Sequence, residues 1–114
     1  MKFHFDCVFY YVTDLNRSVT FYSDVLGLKL VSQDVVARFD IDGVLFELVP
    51  TADKIKLQGE GNARLCLKVD NIHQSLEELQ KRGIQSSQVQ GVENGILASF
   101  KNLDGNEIYL WQYL

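Results

Sequence analysis

Apolar and polar residues alternate through residues 5–12 (FDCVFYYV), a run rich in aromatic and β-branched types that predicts a strand. Asp14 then offers an N-cap. Leu15, Val19, Tyr22 and Leu26 recur at helical spacing until Gly27, which predicts a helix over 15–26. Three more strands are predicted at 28–33, 35–41 and 44–49, the last two joined by an Asp42-Gly43 hairpin turn, and Pro50 closes this half. Residues 51–62 (TADKIKLQGEGN) are polar and glycine-bearing, and read equally as an idle linker or as a lid.

The pattern then starts again. Residues 63–69 (ARLCLKV) predict a strand, and Asn71 caps a helix that carries Ile72, Leu76 and Leu79 on one face and stops at Gly83. Strands are predicted at 84–89, 95–102 and 106–113, with Asp104-Gly105 joining the last two. Val12, Asp14, Leu15 and Ser18 match Val69, Asn71, Ile72 and Ser75 at a constant shift of 57. Asp42, Gly43, Phe46 and Leu48 match Asp104, Gly105, Ile108 and Leu110 at a shift of 62. Caps and turns have mechanical reasons to recur, so two ordered blocks of matches indicate an internal repeat. The expected organisation is one domain over 1–114: a βαβββ unit in 1–50, a linker in 51–62 and a second βαβββ unit in 63–114.

Composition narrows the function. At 114 residues and 46% apolar content the chain can bury one sizeable core. A net charge of −4 argues against nucleic acid, which is held by a concentrated basic surface. No apolar run is long enough to span a membrane. The N-terminal apolar run alternates like a strand and carries no small-residue cleavage site, so it is not read as a signal peptide. Cys7 and Cys66 are far apart and lack metal-type spacing, which reads as two reduced thiols in a cytoplasm, each filling a small buried apolar space. His4 and His73 read as surface histidines. Glu77, Glu78, Lys81 and Arg82 read as a solvated helix face.

The stretch VTDLNRSVTFYSDVLGLKL, with Asp14, Leu15, Ser18, Phe21, Tyr22, Leu26, Gly27 and Leu28, resembles the signature of the vicinal oxygen chelate superfamily. That group includes glyoxalase I, bleomycin-resistance proteins, fosfomycin-resistance enzymes and extradiol dioxygenases. The ending LDGNEIYLWQ is similar to the family's second-half ending. The resemblance implies an α+β fold in which two βαβββ modules form a curved mixed-sheet cup for a small molecule. It also implies a homodimer.

Strand alternation assigns the cup lining. Val8, Tyr10, Val12, Phe46, Leu48, Leu65, Leu67, Val69, Ile108 and Leu110 should face the helices. Cys7, Phe9, Tyr11, Leu45, Glu47, Val49, Arg64, Cys66, Lys68, Glu107, Tyr109 and Trp111 should face the cup. Metal-dependent relatives hold a divalent ion with His or Glu from four of these strands. The resemblance puts Cys7 and Arg64 where histidines are expected, and Glu47 and Tyr109 at the acidic positions. One usual ligand of four remains, and an arginine would repel a cation, so no metal and no other cofactor is expected.

The ligand-lining candidates are therefore Cys7, Phe9, Tyr11, Glu47, Arg64, Cys66, Tyr109 and Trp111. Glu47 and Arg64 are read as a structural ion pair filling a vestigial metal site, or as groups that orient a ligand. Phe9, Tyr11, Tyr109 and Trp111 are read as a stacking platform, or as filler of a concave sheet. Cys7 has no His or Asp placed to activate it as a nucleophile.

The favoured function is metal-free binding of a small, partly aromatic molecule, in the manner of bleomycin-resistance proteins. Bleomycin itself fits poorly, being cationic where Arg64 and Lys68 are basic. The alternative is a lyase or isomerase of the glyoxalase or dioxygenase type, with a rearranged metal site or with Glu47 as general base beside Arg64 as electrophile. A third reading closes the cup with its own side chains and leaves only a dimer surface.

Overall fold

The computed structural model describes residues 1–2, 4–57 and 64–114. The end of the expected linker (58–62) and the first residue of the expected fifth strand (Ala63) lie outside these. The chain divides into two compact units, Met1–Gly59 and Glu60–Leu114.

In the first unit β1 (Cys7–Val12) leads into α1 (Leu15–Thr20), which continues as a π-helical turn over Phe21–Val25. Strands β2 (Lys29–Gln33), β3 (Ala37–Ile41) and β4 (Val44–Pro50) follow, and then a four-residue helix α2 (Lys54–Leu57). In the second unit β5 (Leu65–Lys68) is followed by α3 (Ile72–Lys81), β6 (Gln90–Val92), β7 (Gly95–Lys101) and β8 (Glu107–Tyr113). The sheet orders are β1-β4-β3-β2 and β5-β8-β7-β6. In each, the first strand pairs parallel to the last and the remaining pairs are antiparallel. The two units thus repeat one βαβββ topology in an α+β fold, as the sequence shifts imply.

The repeated polar positions do the mechanical work expected of them. Asp14 accepts the Arg17 N–H at 3.0 Å and Asn71 accepts the Gln74 N–H at 3.1 Å, each meeting a donor that the helix start leaves open. Gly27 and Gly83, at φ of 76° and 86°, end the helices in a left-handed conformation that β-carbons disfavour. The alternation holds at most core positions but not at Val8, which was expected on the helix side and is 37% exposed near the start of β1. Val12, Ala37, Phe39, Phe46 and Leu48 are buried on the α1 side, with Phe21 and Tyr22 from the π turn, while Ile72, Leu79, Ala98, Phe100, Ile108 and Leu110 form the second core. Glu77–Lys81 and Glu78–Arg82 pair along the solvated face of α3.

Three local expectations need correction. The first helix does not stay α-helical to residue 26: from Phe21 it widens, and the Leu26 N–H reaches the Phe21 carbonyl at 3.0 Å. Widening lets the adjacent Phe21 and Tyr22 both turn inward, to 7% and 1% exposure. The strand expected at 84–89 forms instead at Gln90–Val92, because Asn94 at φ 68° makes the turn that pairs Val92 with Gly95. Of the earlier stretch only Ser86 bridges Phe100. Finally, the described part of 51–62 contains α2, whose Asp53 side chain accepts the Ile55 N–H at 2.9 Å.

Candidate functional site

The hairpin between β3 and β4 turns at Asp42-Gly43, with φ of 52° and 85°, and so pairs Ile41 with Val44. That register sets Arg38 directly opposite Glu47 on the sheet face away from α1. On the other side β1 runs parallel to β4 with Phe9 beside Glu47 and Cys7 beside Leu45. A bulge in β2 between Leu30 and Ser32 brings Ser32 alongside Arg38.

These placements build one polar network. Arg38 Nε donates to Glu47 Oε2 at 3.0 Å, while its Nη1 reaches Asp34 Oδ2 at 3.2 Å and the Ser32 hydroxyl at 3.3 Å. The Cys7 thiol faces Glu47 Oε1 at 3.4 Å. The Arg38 and Glu47 side chains retain 33% and 19% of their exposure, so the pair is partly sheltered from water. Asp34, first through the Val36 backbone N–H and then through Arg38, is held below the ordinary 3.8 of a free carboxyl. Arg38 is in turn pushed above its usual range, chiefly by Asp34 and further by Glu47.

Sequence reasoning placed Cys7 and Glu47 on this face and weighed Arg64 as the cation for Glu47, without considering Arg38. Arg38, from its own hairpin, is its cation. Arg64 precedes β5 in the other unit. The signal for Arg38 was present, since a two-residue Asp-Gly turn at 42–43 fixes which residues stand opposite each other along both strands.

Phe9 and Tyr11 meet edge to face, with centroids 5.3 Å apart, and the Lys56 ammonium of α2 stands 5.1 Å above the Tyr11 ring. In the second unit Cys66 pairs with Tyr109, and Lys68 with Trp111, on the face away from α3. Tyr109 and Trp111 are half-buried there, and Trp111 meets Tyr113 at 5.5 Å. Cys66 is exposed rather than buried as expected, because β5 is the edge strand of its sheet and residue 66 points away from the helix. His4 and His73 are exposed.

The Cys7 thiol is pushed up, first by partial burial and then by the Glu47 carboxylate and Asp6. Its thiolate is accordingly scarce at neutral pH, which disfavours a nucleophilic role. Glu47→Gln removes one of the charges opposing ionisation. The pH midpoint for alkylation of Cys7 by iodoacetamide, followed site by site with Cys66 as internal reference, is expected to move down. An unmoved midpoint would contradict the contact.

The donor set does not fit a hard divalent ion. In the first unit Glu47 is bonded to a guanidinium and the Cys7 thiol is pushed up, so neither is a ready donor to such an ion. Among the described residues no group of three or more His, Cys, Asp and Glu is placed to hold a metal. Nor is any helix there long and apolar enough to cross a membrane.

No curated protein matches the chain significantly. Solved structures of the same fold are numerous. A glyoxalase/bleomycin resistance protein/dioxygenase from Nocardioides is 23% identical, with a TM-score of 0.78 over 100% of this chain and 85% of that one. TnmS3, an antibiotic binding protein from Streptomyces sp. CB03234, is 24% identical, with a TM-score of 0.80 over 99% and 98%. The fosfomycin resistance protein FosX from Mesorhizobium loti is 17% identical, with a TM-score of 0.77 over 100% and 95%. At these identities the likeness establishes the fold. The family model reaches further, matching residues 4–110, and the chain belongs to the Glyoxalase/Bleomycin resistance protein/Dioxygenase superfamily.

Proposed function

We propose that this protein binds a small, partly aromatic molecule on the sheet faces turned away from its helices, without a metal ion and without turnover. The observation that carries this reading is the Arg38–Glu47 contact at 3.0 Å. The one conventional metal ligand left at the family's positions already has a cation bonded to it, and that cation belongs to the chain. What remains on these faces is aromatic surface with a few polar groups, the usual make-up of an organic-ligand site. Phe9 and Tyr11 supply it in the first unit, Tyr109 and Trp111 in the second. In the first unit affinity would come from covering Phe9 and Tyr11, and orientation from the Arg38–Glu47 network. An antibiotic-like molecule is in keeping with this, given the antibiotic binding protein among the structures of similar fold.

An isomerase using Glu47 as general base is the competing reading. It is disfavoured because Oε2 of that base is occupied by Arg38 and Oε1 faces the Cys7 thiol. The test is a thermal-shift screen of small planar aromatics with EDTA present, followed by mass spectrometry of each hit after long incubation. A ligand binding only the folded state raises the melting temperature. The expected result is at least one hit that survives the chelator and is recovered unchanged. Hits that vanish in EDTA, or that are converted, would replace this reading with the enzyme.

A further inference from the structure

The segment that follows β4 is tied back onto the end of β1. The Thr51 N–H donates to the Val12 carbonyl at 3.0 Å, the Asp53 N–H to the Thr51 hydroxyl at 3.1 Å, and the Ile55 N–H to the Asp53 carboxylate at 2.9 Å. These bonds hold α2 at the Tyr11 end of β1 and set the Lys56 ammonium 5.1 Å from the Tyr11 ring centroid. Asp53, the carboxylate nearest in sequence, is turned to the backbone, and among the described residues Lys56 has no salt-bridge partner. A cation over a ring at an exposed site is held weakly, so the ammonium keeps its donors for another group.

Charge along this sheet face therefore has a direction. Phe9 and Tyr11 lie in one row of β1; the β4 neighbour of Phe9 is Glu47, and that of Tyr11 is Val49. At the Phe9 end Arg38 bonds both Glu47 and Asp34, at 3.0 and 3.2 Å, so two carboxylates face one guanidinium and the cluster is net negative. At the Tyr11 end stands the unmatched ammonium of Lys56. Phe9 is 46% exposed, Tyr11 is half-buried and Lys56 is exposed, so an incoming molecule can reach all three.

We propose that Lys56 is the anion-holding residue of a ligand subsite formed with Phe9 and Tyr11, and that this face takes a flat aromatic acid. With 5.3 Å from Phe9 to Tyr11 and 5.1 Å from Tyr11 to the ammonium, a molecule of two fused rings spans the row. Its ring covers Phe9 and Tyr11, and its carboxylate meets Lys56 at the end away from Glu47. This narrows the binding reading above to one charge class and rests on it. A neutral amide of the same shape keeps the ring contact and loses the ion pair.

2-Naphthoate and 2-naphthamide are near-isosteric and differ in charge, so they isolate the ammonium. Each is titrated into the full chain by isothermal calorimetry at neutral pH and low salt. Naphthoate is expected to bind roughly threefold to fivefold more tightly, the upper range for an exposed ion pair. That margin should shrink at high salt. Lys56→Gln, a surface change that leaves both cores untouched, should abolish the preference while naphthamide keeps its affinity. Lys54→Gln, on the same segment, should leave the preference in place. Equal affinities in the native protein would overturn this inference and leave the binding reading standing. So would a preference that survives Lys56→Gln, or one removed instead by Lys68→Gln beside Trp111 in the second unit. Binding of neither probe would overturn both.

Discussion

Phe46→Ala is expected to cost about 3–5 kcal/mol of folding stability, the largest single-residue loss in the first unit. Phe46 is 1% exposed and stands at the meeting point of three rings, with centroids at 5.7 Å to Tyr10, 5.2 Å to Tyr22 and 6.2 Å to Phe39. Truncation removes buried apolar area, opens a cavity among rings that cannot collapse far, and forfeits edge-to-face contacts. A typical domain of this size holds roughly 5–15 kcal/mol in all, so much of the margin goes. Phe46→Leu, which keeps more of the volume, should recover a good part of it. Urea denaturation followed by far-ultraviolet circular dichroism measures both. A loss below about 1 kcal/mol for the alanine variant would mean that the cluster is not the core described.

Arg38→Leu is expected to destabilise the fold by more than the loss of an exposed ion pair and by less than the breaking of a fully buried one. The loss arises mainly from what is left behind: a Glu47 carboxylate at 19% exposure with a thiol beside it and no cation. Arg38→Leu combined with Glu47→Leu should therefore be more stable than Arg38→Leu alone, since a sheltered pair replaced by apolar residues loses little. A double variant no better than the single one would show that Glu47 does not depend on Arg38. Asp34 adds a pH signature. Its carboxyl is held below 3.8, so its contribution is complete above that value and is lost as the pH falls through the lower folded-state value. Part of that loss should be absent in Arg38→Leu, the remainder being due to the Val36 backbone N–H, which the variant keeps.

The elements that sequence reasoning recovered are those whose signals are local and physical. Asp14 and Asn71 cap, Gly27 and Gly83 stop, and Phe46, Leu48, Ile108 and Leu110 alternate with the residues of the opposite face. The π turn left no such mark, because Leu15, Val19, Tyr22 and Leu26 satisfy an α-helical spacing whether the closing hydrogen bond spans four residues or five. The sixth strand was misplaced because neither 84–89, with Ile84 and Val89, nor 90–92, with Val92, carries a strong apolar pattern, and the turn at Asn94 decides the pairing. Arg38 was missed for a different reason. Family positions directed attention to Glu47 and Arg64, while the partner of Glu47 was set by a register readable from Asp42-Gly43 alone. The Lys56 ammonium over Tyr11 depends on a side-chain orientation that no one-dimensional pattern carries.

The central proposal, that the Arg38 guanidinium and not a metal ion is the cation at Glu47, is tested most directly by metal analysis of the purified protein. Thermal shifts on adding nickel, zinc, manganese and iron(II) complete the measurement. The account predicts substoichiometric metal and no rise in melting temperature with any of the four. Near-stoichiometric metal with a clear rise would contradict it, and would mean that Glu47 leaves Arg38 to serve a cation.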